Sequence, residues 1–326
     1  MAKLKKIGVF TSGGDAPGMN AAIRAVTRTA IYYGLHVIGI RHGYEGIING
    51  NFKELKAFNV SDIIQRGGTI LKTARSKEFR TPEGRKKAFE RLRSAGIDAV
   101  VAIGGDGTFA GARQFTEEFD VPFVGIPGTI DNDIYGTDYT IGYDTALNTV
   151  VEAIDKIRDT ASSHNRLFFV EVMGRDAGFI ALRSGIACGA EAILIPEIKN
   201  QVSNLKDFLE KGFKRKKSSN IIIVAEGEES GGAFAIAEKV KEDFKDYDVR
   251  VTVLGHIQRG GTPSAYDRVT ASLFGHAAVQ ALLDDQQSIM VGMVNGEIAH
   301  CTFNKAVKKH KQVDMEKMEI AEILSV

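Results

Sequence analysis

The chain has 326 residues, of which 44% are hydrophobic, enough for a substantial core and for about two domains of roughly 150 residues each. With 42 basic and 41 acidic residues the formal net charge is only +1, so the whole chain offers no strong field for nucleic acid or a membrane surface. Two distant cysteines, Cys188 and Cys301, argue against a disulfide framework and fit a reducing cytoplasm, and no run reaches the roughly 20 apolar residues of a membrane span.

Short apolar runs alternate with amphipathic helical patterns along most of the chain. The runs are continuous, as in strands that are covered on both faces. In chain order they are KIGVF, HVIGI, DAVVAI, PFVGI, RLFFVEVM, AILIP, NIIIVAE and VRVTVL. Helical patterns cover residues 20–34, 81–96, 144–159 and 264–283. This order predicts an α/β fold with parallel sheets covered by helices, in which ligands bind at the carboxyl ends of the strands.

The loop after the first apolar run, TSGGDAPGMNAAIR, is the first candidate for a phosphate site. Gly13 and Gly14 let backbone amides approach a ligand, and a helix start near Gly18 presents free N–H groups. The pattern is not a Walker loop. A tight turn between strand and helix, with Asp15 as a local cap, is the alternative explanation.

The segment AIGGDGTFAGA is the second candidate. Gly105, Gly107 and Ala110 fit the loose dinucleotide pattern G-x-G-x-x-[GA], but the acidic residue expected about 20 positions later is not clearly present. Asp106 lies between two glycines, where a carboxylate suits a magnesium ion that also contacts phosphate oxygens.

The segment PGTIDND places two carboxylates directly after an apolar run. In extended backbone Asp131 and Asp133 point to the same side, and such a pair is costly unless a cation, a proton or a ligand lies between them. If Asp106 holds Mg²⁺ for a nucleotide, either aspartate can act as general base on a hydroxyl acceptor. Gly128 and Thr129 would then line the transfer site.

Arginines stand near several of the predicted strand ends. Guanidinium groups are the usual means of holding phosphate on a protein of neutral charge, so these residues suggest a second phosphorylated ligand. They are Arg66, Arg75, Arg80, Arg166, Arg175, Arg250 and Arg259. His256 lies in the same context, although a lone histidine after an apolar run is more often a satisfied core residue.

Taken together, these segments carry a resemblance to a known family. TSGGDAPGMNAAIR, IGGDGT, PGTIDNDI, GTDYTIGYDTAL, VEVMGR and LGHIQRGG resemble, in order and spacing, the bacterial ATP-dependent 6-phosphofructokinases of the type A family. The resemblance runs from Lys6 to about Gly296. It implies transfer of the γ-phosphoryl group from MgATP to the 1-hydroxyl of D-fructose 6-phosphate, giving fructose 1,6-bisphosphate and ADP in a committed, allosterically regulated step of glycolysis.

The resemblance also implies the architecture. It predicts two Rossmann-like α/β domains with mainly parallel sheets and an active site in the cleft between them. The larger, ATP-binding domain would comprise 1–141 plus 258–305, and the smaller, fructose 6-phosphate-binding domain 142–257 plus 306–326. A cytoplasmic homotetramer is implied, with active and effector sites at subunit interfaces.

Roles of single residues follow from the resemblance. Asp131 would be the base, Asp133 would assist it, Thr129 would contact the transferring group, and Arg75 and Gly13 would complete the catalytic set. The implied ATP contacts are Gly13, Tyr44, Arg75, Ser76, Arg80, Arg85, Gly105, Gly107, Thr108 and Asp106, the last also binding Mg²⁺. The implied sugar-phosphate contacts are Thr129, Asp131, Met173, Gly174, Arg175, Glu226, His256 and Arg259, with Arg166 and Arg250 supplied by a neighbouring subunit.

An effector site for ADP and phosphoenolpyruvate is implied as well. Its anion contacts would be Arg24, Arg28, Arg158, Arg215 and Lys217, with Glu191 as a Mg²⁺ ligand. For Arg24 and Arg28 the alternative is a solvated helix face, although like charges at that spacing are mildly unfavourable without an anion. Asn51 and Phe179 depart from the family pattern.

Four alternatives remain open. The family has a pyrophosphate-dependent branch, but it carries aspartate and lysine where this chain has Gly107 and Gly128. A nucleotide or lipid kinase would share only GGDGT. A regulatory subunit would be expected to lose Asp131 or Asp106. A dinucleotide-dependent dehydrogenase is disfavoured because the acidic residue that would bind the ribose is missing.

Overall fold

The computed structural model describes residues 4–162, 166–202, 205, 209, 220–244 and 248–325. Within these ranges the chain forms two compact units. The larger comprises Met1–Ile130, Ile134–Thr145 and Arg259–Lys311, and the smaller Asp131–Asp133, Ala146–Gln258 and Gln312–Val326. The domain limits inferred from the family resemblance stay a prediction. Over the same ranges, no helix is both long and apolar enough to cross a membrane.

Strands and helices alternate along the described chain. The strands are β1 (Lys6–Thr11), β2 (His36–Ile40), β3 (Phe52–Leu55), β4 (Ala99–Gly104), β5 (Phe123–Pro127), β6 (Arg166–Val172), β7 (Ala192–Leu194), β8 (Asn220–Ala225), β9 (Asp248–Val253), β10 (Ile289–Val294) and β11 (Glu297–Thr302). The α-helices are α1 (Met19–Tyr32), α2 (Gly43–Asn49), α3 (Pro82–Ser94), α4 (Asp106–Glu118), α5 (Tyr143–Ser162), α6 (Phe179–Cys188), α7 (Gly232–Asp243), α8 (Ala265–Leu283), α9 (Phe303–Lys308) and α10 (Met315–Leu324). Shorter 3₁₀ helices span Ala57–Val60, Glu78–Arg80 and Gly255–Arg259.

The larger unit contains a seven-stranded sheet in the order β11-β10-β5-β4-β1-β2-β3. Its five inner strands are parallel, and β3 and β11 are antiparallel edges. Every residue of β4 and β5 is buried, as expected for strands covered on both faces. Since parallel strands end at the same edge of a sheet, the loops that follow β1, β4 and β5 lie side by side.

The smaller unit contains a four-stranded sheet in the order β7-β8-β6-β9. All three pairings are parallel. Its core packs α7 against the sheet through residues that include Leu167, Phe169, Val224 and Ile236. Loops after β6, β8 and β9 therefore also share one edge.

The predicted α/β class with mainly parallel sheets is confirmed. All eight predicted apolar runs form strands, and the four predicted helical patterns form α1, α3, α5 and α8. Helix α3 begins where expected, because the Thr81 hydroxyl accepts a hydrogen bond from the Gly84 amide at 3.1 Å and Pro82 occupies the first helical position. Strands β3, β10 and β11 were not predicted.

Candidate active site

In the larger unit, four predicted site residues meet at the carboxyl ends of β1, β4 and β5. A Cβ atom added to Gly13 would lie 3.8 Å from Oγ1 of Thr108 and 4.0 Å from the amide nitrogen of Gly105. One added to Gly105 would lie 3.8 Å from Cβ of Thr129. Gly13 has φ of +85°, a conformation that favours glycine. Two glycine-rich loops and Thr129 thus lie side by side, with Gly13 exposed and Thr108 and Thr129 buried.

Arg259 lies against the first of these loops. A Cβ atom at Gly14 would collide with its guanidinium group, and its Nη1 atom lies 3.5 Å from the carbonyl oxygen of Asp15. A side chain at position 14 would make the guanidinium group of Arg259 shift, so glycine lets this arginine approach the loop as it does here. Arg259 was predicted to contact the sugar phosphate, and the structure brings it to the loop between β1 and α1.

Asp106 and Gly107 open helix α4, and both are exposed. A Cβ atom at Gly107 would meet nothing within 4 Å, whereas one at Gly128 would lie 3.1 Å from Cε of Met19 and 3.2 Å from Cγ2 of Ile103. There is thus open space over the start of α4, where N–H groups and the helix dipole favour an anion.

The same place suits a magnesium ion that is shared with a phosphate group. Among the described residues, no three His, Cys, Asp or Glu side chains are grouped as metal ligands. Mg²⁺ commonly uses one or two carboxylates, several waters and substrate phosphates rather than a full protein cage. An exposed Asp106 beside an anion-binding helix start therefore fits the predicted role.

Tyr44 and Arg85, two of the predicted ATP contacts, are buried instead of exposed. Tyr44 is 6% exposed and its hydroxyl donates to the carbonyl oxygen of Thr108 at 2.5 Å. Burial raises the pKa of Tyr44, so the hydroxyl remains a donor at neutral pH. Arg85 is 2% exposed and bound to Glu118.

The other predicted contacts on the same stretch remain open to solvent. Arg75 and Arg80 are exposed and Ser76 is half-buried. The Ser76 hydroxyl accepts a hydrogen bond from the amide of Phe79 at 3.2 Å. This bond begins the 3₁₀ helix that carries Arg80.

The segment after β5 is fixed by residues 140 and 141. The Thr140 hydroxyl donates to the carbonyl oxygen of Thr129 at 2.6 Å, and the amide of Ile141 donates to the carbonyl oxygen of Pro127 at 2.9 Å. Gly128 pairs with Ile141 in a β-bridge. The backbone on which Thr129 stands is therefore held on both sides.

The chain then enters the smaller unit at Asp131–Asp133. Asp131 is 3% exposed and Asp133 is half-buried. Asn132 between them has φ of +55°, a left-handed conformation that asparagine tolerates better than most residues. A reversal of this kind between the two aspartates departs from the extended backbone that the sequence argument assumed.

In the smaller unit, Glu226 organises the loop that follows β6. Its Oε1 atom accepts hydrogen bonds from the amides of Gly174 at 3.3 Å and Arg175 at 2.7 Å. Both residues have positive φ, +145° and +54°. Met173 is held nearby through its amide, which donates to Oε1 of Gln258 at 3.2 Å. Four predicted sugar-phosphate residues thus belong to adjoining strand ends.

Arg166 and Arg250 share one carboxylate in the smaller unit. Nε of Arg166 donates to Oδ2 of Asp248 at 2.9 Å, and Nη2 of Arg250 donates to the same atom at 3.0 Å. The hydrogen bond from Arg166 is the main cause that lowers the pKa of Asp248. The structure brings these two predicted phosphate ligands together on β6 and β9. His256 is exposed on the 3₁₀ helix after β9.

The predicted effector residues are described unit by unit. In the larger unit, burial and then the charge of Arg28 lower the pKa of Arg24 on α1. In the smaller unit, Arg158 donates to the carbonyl oxygens of Cys188 and Gly189 at 2.5 and 3.2 Å. Glu191 is 9% exposed. Arg215 and Lys217 lie outside the described residues.

Sequence reasoning missed several polar residues that support the site. Gln258 is fully buried and lies within the motif GHIQRGG. The motif therefore included this residue but did not reveal its hydrogen-bond partner. Asp248 and Glu118 carried no comparable signal. Asp267, which is 1% exposed, lies in a predicted helix whose buried polar member was not singled out.

Comparisons with known proteins match most or all of the chain. The phosphofructokinase family model matches residues 6–282. The chain is 59% identical to ATP-dependent 6-phosphofructokinase 2 of Bacteroides thetaiotaomicron over 100% of both chains. It is 55% identical to ATP-dependent 6-phosphofructokinase 1 of Thermus thermophilus over 99% of this chain and 100% of that one.

Solved structures agree with this match. Phosphofructokinase from Saccharomyces cerevisiae superposes with a TM-score of 0.87 at 38% identity, over 98% of this chain and 48% of that one. A pyrophosphate-dependent phosphofructokinase from Marinobacter aquaeolei gives a TM-score of 0.85 at 23% identity, over 96% of this chain and 86% of that one, and this likeness concerns the fold alone. The resemblance found in the sequence motifs is confirmed, and the chain belongs to the phosphofructokinase family.

Proposed function

We propose that this protein is an ATP-dependent 6-phosphofructokinase. It transfers the γ-phosphoryl group of ATP to the 1-hydroxyl of D-fructose 6-phosphate and forms fructose 1,6-bisphosphate and ADP, a step of glycolysis. The observation that carries the proposal is 59% identity, over the full length of both chains, to a protein named for this reaction. Glycine at positions 107 and 128, where the pyrophosphate-dependent branch has charged residues, supports ATP as the donor.

The larger unit supplies the groups for the donor. Gly13 and Gly105 leave backbone amides open to a polyphosphate, and α4 directs its N-terminus to the same place. Arg75 and Arg80 are exposed and can approach phosphate oxygens. Asp106 would hold Mg²⁺, which when bound neutralises negative charge on the phosphate oxygens of the donor.

Asp131 acts as general base on the acceptor. It takes the proton of the attacking hydroxyl, while Asp133 assists and Thr129 contacts the transferring group. A positioned base contributes on the order of 10²–10⁴-fold to the rate. Positioning and charge neutralisation supply most of the remainder.

The smaller unit supplies most of the groups for the acceptor. Glu226 holds the backbone of Gly174 and Arg175, and the sugar contacts include Met173 and His256. Arg166 and Arg250 bind the 6-phosphate of an adjacent subunit's substrate, in the homotetramer that the family resemblance implies. Arg166 meets Asp248 through Nε and Arg250 through Nη2, so each guanidinium group has further N–H donors for a phosphate.

Regulation and location complete the proposal. ADP and phosphoenolpyruvate bind an effector site that includes Arg24, Arg28, Arg158 and Glu191, and the enzyme works in the cytoplasm. Arg24 and Arg28 stand four residues apart on α1, and like charges at that spacing are mildly unfavourable without an anion.

A coupled assay of the purified protein with fructose 6-phosphate and Mg²⁺ tests the function, run once with ATP and once with pyrophosphate. We expect turnover with ATP alone. Turnover with pyrophosphate would overturn the donor but keep the acceptor. No turnover with either donor, in a preparation that still binds nucleotide, would indicate a regulatory subunit.

A further inference from the structure

Arg85 makes more hydrogen bonds within the protein than is expected of an arginine whose role is to bind a ligand. Its Nε and Nη2 atoms donate to the two carboxylate oxygens of Glu118 at 2.6 and 2.7 Å. Its Nη1 atom donates to the carbonyl oxygens of Phe79 at 3.2 Å and Arg80 at 2.8 Å. All three guanidinium nitrogens therefore have acceptors within the protein. We name this pair of side chains the Arg85–Glu118 clamp.

The clamp holds the turn that carries Arg80. Phe79, at the middle of that turn, is 5% exposed and stacks on Tyr44 with ring centroids 4.0 Å apart. On its other side it stacks on Phe115 of α4 at 5.7 Å. The two carbonyl groups that Arg85 binds belong to Phe79 and Arg80 themselves, so the clamp fixes the backbone from which the Arg80 side chain extends.

The same clamp reaches the other nucleotide loop through helix α4. Glu118 is the last residue of α4, and Asp106, Gly107 and Thr108 are the first three. The Tyr44 hydroxyl binds the carbonyl oxygen of Thr108, so both ends of α4 are tied to the stack of aromatic rings. The turn at residues 78–80 and the start of α4 are therefore one packed assembly in the larger unit.

The burial of the pair decides what happens when one partner is lost. The Arg85 side chain is 3% exposed and that of Glu118 is 32% exposed. A buried guanidinium group that loses its carboxylate keeps its desolvation cost without compensation. We expect it to move toward water and to release the two carbonyl groups of the turn.

We infer that Arg85 is a positioning residue for the nucleotide and does not contact ATP itself. It sets the backbone of Phe79 and Arg80, and Glu118 holds it in place. The inference rests on the proposed function only in taking the bound nucleotide to be ATP. It replaces the direct contact that the family resemblance implied for Arg85.

The two roles predict opposite effects for Glu118→Gln. If Arg85 contacted the phosphates, Glu118 would compete for its guanidinium group, and removing the negative charge would lower the KM for ATP. If Arg85 positions the turn, the same change loosens Arg80 and raises the KM for ATP. The sign of the change therefore separates direct contact from positioning.

The test compares Glu118→Gln with Glu117→Gln in the full-length protein. Glu117 is the neighbouring residue on α4 and pairs with Arg113 at 3.7 Å instead of with Arg85, so the control matches the change in charge. We expect the KM for ATP to rise about fivefold in Glu118→Gln, equivalent to the weakening of a charged hydrogen bond. The KM for fructose 6-phosphate and kcat should change less than about twofold, and Glu117→Gln should behave as the wild type.

Arg85→Lys is the second variant, because lysine keeps the charge but cannot bind a carboxylate with two parallel hydrogen bonds. We expect a similar rise in the KM for ATP, and no further rise in the double variant, since both changes break one clamp. We also measure, by calorimetry in the presence of Mg²⁺, the affinity for AMP-PNP, a non-hydrolysable ATP analogue. This affinity should fall in the same variants in which the KM for ATP rises. A fall in the KM for ATP, or no change, in Glu118→Gln would overturn the inference.

The calorimetric readout also separates the inference from the proposed function. If the wild type shows no turnover with ATP but binds AMP-PNP, the proposed function fails while the clamp can still be tested. Should Glu118→Gln not fold, an unchanged affinity of Arg85→Lys for AMP-PNP would still overturn the inference.

Discussion

The carboxylate of Asp267 accepts hydrogen bonds from both the amide and the hydroxyl group of Thr145, at 2.8 and 2.5 Å. Its other oxygen accepts a hydrogen bond from the amide of Gly142 at 2.8 Å. Asp267 stands in the first turn of α8, and these donors surround the start of α5. One buried carboxylate therefore fixes the chain just after Thr140 and Ile141, the residues that hold Pro127–Thr129 in place.

This arrangement predicts a particular pH dependence of stability. Burial, followed by the nearby charge of Asp144, raises the pKa of Asp267 to about 6 against the hydrogen bonds that favour its ionised form. The pKa is about 4 in the unfolded chain. Since the folded value is the higher one, the contribution of protonated Asp267 is fully present below about pH 4 and is lost as the pH rises through about 6.

Unfolding free energies of the wild type and of Asp267→Asn measure this contribution between pH 4 and pH 7. We expect the wild type to lose about 2 to 3 kcal/mol relative to the variant across that interval. The substitution also alters hydrogen bonds, but this changes the unfolding free energy by the same amount at every pH. It therefore does not affect how the difference between the two proteins depends on pH. A difference that grows in favour of the wild type with rising pH would mean that the three donors lower the pKa of Asp267 instead.

A second prediction concerns the base. We expect Asp131→Asn to lower kcat by about 10²-fold or more, because the amide cannot accept the hydroxyl proton. The KM for fructose 6-phosphate should change little, since the side chain keeps its size. Steady-state kinetics with both substrates varied measure this effect. The exposed Asp120→Asn controls for the loss of one negative charge, and near-normal turnover of Asp131→Asn would remove Asp131 from its role.

Strands β4 and β5 could be predicted from the sequence because both of their faces are covered, and every residue in them is buried. The edge strand β3 reads Phe-Lys-Glu-Leu and exposes its two charged residues, which hides it from such a criterion. Strands β10 and β11 form a hairpin across Asn295-Gly296, with φ of +52° and +83°. Asn-Gly is the usual sequence signal for a two-residue turn, and it could have predicted the hairpin.

The site could be predicted only as a set of positions at strand ends. Which side chains face a ligand and which support it depends on partners far away in the chain. Arg85 meets Glu118, 33 residues later, and Tyr44 meets Thr108, 64 residues later. Neither pairing follows from periodicity or from local motifs. The burial of Arg85 and Tyr44 therefore follows only from the three-dimensional structure of the larger unit.

A third prediction concerns the arginine pair on β6 and β9. We expect Arg250→Ala to raise the KM for fructose 6-phosphate by about tenfold, the effect of losing one hydrogen bond between charged groups. The kcat should stay close to that of the wild type, because the contact is made equally in the ground and transition states. Initial rates at saturating ATP provide the measurement.

The control for this change is Lys239→Ala, which removes an exposed cation from helix α7 of the same unit. It should leave the KM for fructose 6-phosphate unchanged. If Arg250→Ala lowered only kcat, the side chain would act on the reacting groups and its assignment to phosphate binding would be wrong.

The last prediction separates activity from stability at Gly107. A side chain at this position enters open space at the second residue of α4, and a negative charge in the first turn of a helix is stabilising by about 0.3–1 kcal/mol. Gly107→Asp should therefore unfold at the same temperature as the wild type or a higher one. The same carboxylate would lie at the start of α4, the place proposed for the phosphates of ATP, so we expect the KM for ATP to rise at least about tenfold through repulsion between like charges. Gly107→Ala adds only a methyl group there and should keep a KM for ATP within about threefold of the wild type.

Thermal unfolding and initial rates on both variants measure the two effects. A Gly107→Asp variant with a normal KM for ATP would place the nucleotide away from the start of α4.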